Sequence, residues 1–131
     1  MAEKKSILTV DDDPIVLTAL TALLTPIYNL RIAKSAADAL ALMEQNTPDL
    51  ILLDIEMPDI SGFEFLHTIK KIPKYMNIPV VVVSGHRESE VVRHAEKSGA
   101  SGMVAKPIDQ EELFRKIDRA FETPPVSIFR V

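Results

Sequence analysis

The chain has 131 residues, 47% of them hydrophobic and 26% charged, with a formal net charge of −4. That suits one soluble domain able to bury a core without staples, since a chain of this size hides roughly 68% of its unfolded surface. With no cysteine there is no disulfide framework or thiolate metal site, and with no basic run bare nucleic acid is a poor partner. No apolar run approaches the ~20 residues of a membrane span, and the start MAEKKSILTV has no apolar signal core. A cytoplasmic protein with no membrane insertion is the expectation.

The first apolar run, ILTV (7–10), predicts a strand. Asp13-Pro14 then sets a cap and a proline at the first helical position, and the helix stripe is Ile15, Val16, Ala19, Leu20, Leu23 and Leu24. LRIA (30–33) is the second strand, and Ser35 with Asp38 three residues on opens a helix that Asn46-Thr47-Pro48 closes. LILL (50–53) is apolar at every position, the mark of a strand covered on both faces. A helix follows Ser61-Gly62, with Phe63, Leu66 and Ile69 on one face. VVVV (80–83) is a second fully apolar strand, and the helix after it runs from about Glu88 to Lys97 and stops at Ser98-Gly99. GMVA (102–105) is the fifth strand. Asp109 caps the fifth helix with Glu112 at N3, its stripe is Leu113, Phe114, Ile117, Ala120 and Phe121, and Pro124-Pro125 stops it.

Five strand–helix units in a row imply an α/β fold, a parallel sheet with helices on both faces, because each crossover is right-handed and needs a helix. By analogy with known sheets the order is the flavodoxin-like 2-1-3-4-5, a doubly wound (βα)5 sandwich. It places the all-apolar strands centrally and the mixed LRIA and GMVA at the edges.

The polar residues gather at the carboxyl ends of the strands, where such a sheet keeps its ligand crevice. Asp11 and Asp12 follow the first strand, Asp54 the third, Ser84 the fourth and Lys106 the fifth. Taken singly, Asp11 or Asp12 is a solvated loop acid, Ser84 a turn hydroxyl and Lys106 a surface lysine, while Asp13 is a helix cap. Asp54 resists that reading, since an acid ending an all-apolar run is costly without a partner. Together, the three carboxylates Asp11, Asp12 and Asp54 call for a cation. An all-oxygen set suits a hard one, Mg2+ or Mn2+. Metal and Lys106 would then draw in a phosphoryl group, with the Ser84 hydroxyl on a third oxygen and Asp54 as the nucleophile.

The stretches VDDDP (10–14), DLILLDIEMPDISGFE (49–64), VVVVSG (80–85) and GASGMVAKPI (99–108) resemble the receiver domain of two-component response regulators, CheY-like, over about residues 5–122. The resemblance implies a phosphorelay switch in which Asp54 is the phosphoacceptor and Asp11 and Asp12 are the acidic metal pair. The Glu56 backbone carbonyl is then a further metal ligand, Ser84 the hydroxyl that moves and Lys106 the counter-charge. It also implies a histidine kinase or histidine phosphotransfer protein as phosphodonor. The output surface is the face of the fourth helix, fifth strand and fifth helix, acting on a downstream protein or domain. Such a module catalyses only its own phosphotransfer and dephosphorylation. Two positions depart from the family habit: Met103 stands where an aromatic that rotates inward is common, and Ile108 where phenylalanine is common. Met103, flexible and apolar, leaves a packing switch but no hydroxyl-dependent one. Glu56, Gly85 and His86 flank the phosphoryl position and should govern how water reaches it.

Two other readings use similar residues. A haloacid-dehalogenase-like, Mg-dependent phosphatase would use Asp11-x-Asp13, but Asp13 is better spent as a cap, the usual downstream threonine is absent and the length leaves no room for a cap domain. A flavin module would need a phosphate loop where DDDP repels phosphate, and there is no tryptophan to stack on the ring. Residues 123–131 are expected to be a C-terminal tail or the start of a linker.

Overall fold

Strand and helix alternate from Ser6 to Glu122. The strands are β1 (Ser6–Val10), β2 (Asn29–Ala33), β3 (Leu50–Asp54), β4 (Val80–Ser84) and β5 (Gly102–Ala105). The helices are α1 (Pro14–Leu24), α2 (Ala36–Gln45), α3 (Gly62–Lys70), α4 (Ser89–Lys97) and α5 (Gln110–Glu122). The structure is a computed structural model describing residues 4–57, 61–86 and 88–122. The tail expected at 123–131 and the Pro124-Pro125 stop lie outside the described residues. All strand pairs are parallel and the order is β2-β1-β3-β4-β5, a flavodoxin-like sheet as the sequence implies.

Every residue of β3 and β4 is buried, because alternate side chains enter two different cores. Leu8, Val10, Ile51, Leu53, Val80 and Val82 pack with α2, α3 and α4, whose contributions include Met43, Phe65, Leu66, Ile69 and Ala95. Ile7, Leu50, Leu52, Val81, Val83 and Val104 pack with Val16, Leu20 and Leu24 of α1 and Leu113, Ile117 and Ala120 of α5. Each fully buried aliphatic side chain contributes about 1.5–3 kcal/mol, so the central strands fix the frame from both sides. Edge strand β2 has only Ala33 buried.

Two helix faces differ from the sequence reading. Ile15 is 79% exposed and Leu17 is buried in its place. Steps of four from Val16 through Leu20 to Leu24 define the sheet side, and Ile15, one residue before Val16, is turned outward. In α3 the core aromatic is Phe65, four residues before Ile69. Phe63 is half-buried and stacks on His94 of α4, centroids 3.9 Å apart.

The two ends of α4 are unlike. Its cap residue Glu88 makes no side-chain cap bond, and only Ala95 is buried. Its far end closes with Ser98 N–H to His94 O and Ala100 N–H to Ala95 O. Gly99 turns there at φ 98, against the stem of Lys70, a conformation that glycine adopts without steric cost. The Lys70 ammonium donates to Met76 O and Ile78 O, tying the end of α3 to the segment entering β4.

Candidate functional site

The strand ends carry the site. Asp54 and Ser84 are the last residues of β3 and β4 rather than the residues after them, so the ladder sets their backbones. Asp11, Asp12 and Asp54 each offer a carboxylate oxygen, all within 4.8 Å of one another. Asp11 and Asp54 are 1% and 2% exposed, while Asp12 lies open to solvent. One oxygen of each buried acid is occupied locally: Asp13 N–H donates to Asp11 Oδ1 and Glu56 N–H to Asp54 Oδ1, both at 2.9 Å. The other oxygens face Lys106, whose Nζ lies 3.4 Å from Asp54 Oδ2 and 3.6 Å from Asp11 Oδ2. The latter distance is too long for a hydrogen bond, and among the described residues Asp11 Oδ2 is buried without a hydrogen-bond partner. An orphaned carboxylate oxygen facing two other acids is a site with room for a hard cation, and the donor set fits Mg2+ or Mn2+.

Charge crowding leaves its mark on the titrations. The Asp54 carboxyl is pushed up to about 6, chiefly by burial and further by the neighbouring Asp11, against the pull of the Glu56 N–H and of Lys106. Burial alone would lower Lys106, but Asp11 and Asp54 outweigh it and hold the ammonium above its ordinary value. Lys106 is therefore a fixed positive charge in the crevice. A dication bound there would favour the ionised form of Asp54.

Asp13 stands apart, as its place before Pro14 requires: its Oδ1 accepts Ile15 N–H at 2.9 Å as the cap of α1. The Asp11-x-Asp13 pairing of a dehalogenase-like phosphatase is thus not assembled. Ser84 is fully buried, and its hydroxyl accepts His86 N–H at 2.9 Å. Among the described hydrogen bonds none joins this hydroxyl to Asp54 or Lys106, although the Ser84 backbone carbonyl accepts the Lys106 N–H. Met103, paired in register with Val82, is half-buried and lines a groove of about 310 Å3 with Val92, Ala105, Glu112 and Lys116.

Three features escaped the sequence reading. The Glu56 side chain, on the loop after β3, meets His86, on the loop after β4, at 2.8 Å, and His86 also lies 3.4 Å from Glu88. This pair bridges the two loops beside Asp54, and nothing in the spacing of 56 and 86 announces it. Gly62 begins α3 against the end of β3, where a Cβ would lie 2.4 Å from Ile55 Cα and 2.6 Å from Asp54 O. A glycine in a first helical turn was the available signal. Glu112 Oε1 accepts the N–H of Ala105, a reach across elements that its capping-box position conceals.

Residues 7–118 match the family described as the response regulator receiver domain. Protein PilH of Pseudomonas aeruginosa is 33% identical over 113 residues, covering 86% of this chain and 93% of that protein. A 14.6 kDa protein of Leptolyngbya boryana is 32% identical, covering 86% of this chain and 87% of that one. The crystal structure of the receiver domain of NtrX from Brucella abortus superposes with a TM-score of 0.82 at 32% identity, covering 89% and 98% of the two chains. With the acidic pocket, the lysine and the sheet order all in place, the chain belongs to the response regulator receiver family and is a receiver domain of two-component signalling.

Proposed function

We propose that residues 5–122 form a phosphorylation switch in which Asp54 is the phosphoacceptor, and that its donor is the phosphohistidine of a histidine kinase or a histidine phosphotransfer protein. The observation that supports this most is the burial of Asp11 and Asp54 against one lysine, with Asp11 Oδ2 left without a hydrogen-bond partner. Asp11, Asp12, Asp54 and the Glu56 backbone carbonyl would hold Mg2+ or Mn2+, which supplies charge neutralisation between two anions that otherwise repel. Asp54 attacks phosphorus through a carboxylate oxygen; a P–O bond forms as the P–N bond to the donor imidazole breaks, and the released ring nitrogen takes a proton from solvent. Lys106 stabilises charge on the transferred oxygens. Ser84 exchanges the His86 N–H for a phosphoryl oxygen, which pulls on the loop entering α4 and lets Met103 move inward on the α4-β5-α5 face. A full population shift from 1:99 to 99:1 needs about 5.5 kcal/mol, and two charge-assisted contacts of roughly 1.5–3 kcal/mol each nearly supply it.

Intact-mass measurement after incubation with phosphoramidate tests the assignment. One phosphate should add to the wild type, only with Mg2+ or Mn2+ present, and none to Asp54→Asn. A stable phosphate on the Asn variant overturns it. Methyl NMR of Met103 with beryllofluoride and Mg2+ tests the output face, and an unmoved Met103 beside a perturbed Asp54 environment would place the output elsewhere.

A further inference from the structure

Lys106 reaches the acids from just past the end of β5, a four-residue strand at the edge of the sheet. Along a parallel strand successive peptide N–H groups point to opposite sides. The Lys106 N–H turns inward and donates to Ser84 O at 2.9 Å. The Ala105 N–H, one residue earlier, turns toward the sheet edge, where among the described residues no further strand receives it. Glu112 Oε1 accepts it there at 3.1 Å.

Glu112 is well placed for this. Its own N–H donates to Asp109 Oδ2 at 2.9 Å, the Leu113 N–H donates to Asp109 O, and Leu113 is fully buried. The first turn of α5 is therefore fastened to the core. The two peptide planes flanking the Ala105 Cα are then both held, one by Ser84 and one by Glu112. Peptide planarity makes this equivalent to fixing φ and ψ of Ala105, and so the point and direction from which Lys106 leaves the strand.

We propose that Glu112 is a positioning residue for phosphoryl transfer, acting through Ala105 to keep the Lys106 ammonium within reach of both Asp11 and Asp54. The inference rests on the phosphoacceptor reading above. It gives an acid at the third position of a helix a task that capping alone does not require. The acceptor oxygen is what matters, so an amide in the same place should serve.

The test is a double-mutant cycle read as the rate of phosphorylation by phosphoramidate at saturating Mg2+, with Glu112→Leu, Glu112→Gln and Lys106→Met. Glu112→Leu should slow the reaction roughly tenfold, as small misplacements of catalytic groups do. Its Mg2+ affinity should be unchanged, and its Ala105 amide resonance should be displaced. Glu112→Gln should stay within about twofold of wild type in rate and keep the resonance in place. In the Lys106→Met background, Glu112→Leu should have no further effect. A wild type that takes no phosphate, or a Lys106→Met variant as fast as wild type, would overturn the reading of the site itself. If those two behave as described, the Glu112 assignment is overturned by Glu112→Leu matching wild type, by Glu112→Gln losing as much rate as Glu112→Leu, or by Glu112→Leu costing the same with and without Lys106. Should Glu112→Leu fail to fold, Glu112→Ala takes its place in the cycle.

Discussion

Helices α1 and α4 both leave the carboxyl edge of the sheet beside the acidic crevice, yet they are anchored to different degrees. The start of α1 has Asp13 as a bonded cap, Pro14 at its first position and four buried residues along its length. The start of α4 has no side-chain cap bond, and the helix buries only Ala95. The wall that presents Asp11 and Asp12 is stiff, and the wall entered through Ser84 is held lightly. In the switch proposed above, metal ligands would need a fixed geometry and a hydroxyl that exchanges partners a yielding one. Local stability follows the number of buried apolar contacts, so the two walls are suited to these different tasks.

The largest effect is expected between the two walls, at the end of β3. Gly62→Ala should destabilise by roughly 3 kcal/mol in urea unfolding, because its Cβ would strike backbone atoms of Asp54 and Ile55. A loss under about 1 kcal/mol would mean that the end of β3 yields as readily as α4. Next is the pH dependence of the metal-free protein. Asp54 titrates near 6 when folded against an ordinary 3.8, so the native state binds more protons than the unfolded one between those values. The stability associated with this group is complete below about 4 and lost as pH rises to about 6, on the order of 2 kcal/mol. Unfolding with and without chelator should show that fall in the wild type, a smaller one with Mg2+ and none attributable to this group in Asp54→Asn. Equal pH profiles for wild type and Asp54→Asn would remove the crowding argument.

Smaller effects sharpen the contrast. Asp13→Ala should cost about 1 kcal/mol of stability and leave Mg2+ affinity unchanged. Asp12→Ala should weaken Mg2+ by more than roughly tenfold at no cost in stability, as titration of each variant with Mg2+ reads. Equal loss of affinity in the two would show that the start of α1 belongs to the metal site. Last, His94→Ala removes the stack on Phe63 and should cost about 0.5–1 kcal/mol. Amide exchange should quicken in α4 and stay unchanged in α1; quickening in both would show that the two walls move as one.

The legible parts of the molecule were those that local patterns control. Fully apolar LILL and VVVV name the central strands because nothing else is buried on two faces, and Asp13-Pro14 names a helix start through a cap that the structure retains. Asp11, Asp12, Asp54 and Lys106 were found because a parallel sheet brings strand ends together whatever the loops do. Ile15 departs from the stripe because it neighbours Val16 in an apolar run, and only the packing of Val16, Leu20 and Leu24 on the sheet shows which side of the helix faces inward. Phe65 was missed for a related reason: the i, i+3 pattern from Phe63 looked complete without it. The Glu56–His86 contact and the Glu112–Ala105 bond join residues from separate loops and elements, and no periodicity encodes a side chain that crosses between them.

The firm closure of α4 at Gly99, against the stem of Lys70, makes the helix a lever with its fulcrum at one end. The φ of 98 at Gly99 and the bonds returning from Ser98 and Ala100 hold the pivot, while the end nearest Ser84 is held by exposed contacts such as His86 to Glu88 rather than by a side-chain cap. Nine residues at about 1.5 Å each give an arm of roughly 13 Å. A rotation of about 10° at the pivot therefore carries the start of α4 through roughly 2 Å, while Ala95, close to the fulcrum, scarcely leaves the core. In the switch proposed above, a small pull on the loop after β4 would become a change of slope along the helix surface, and a partner resting on Val92 and its neighbours would sense a tilt rather than a translation.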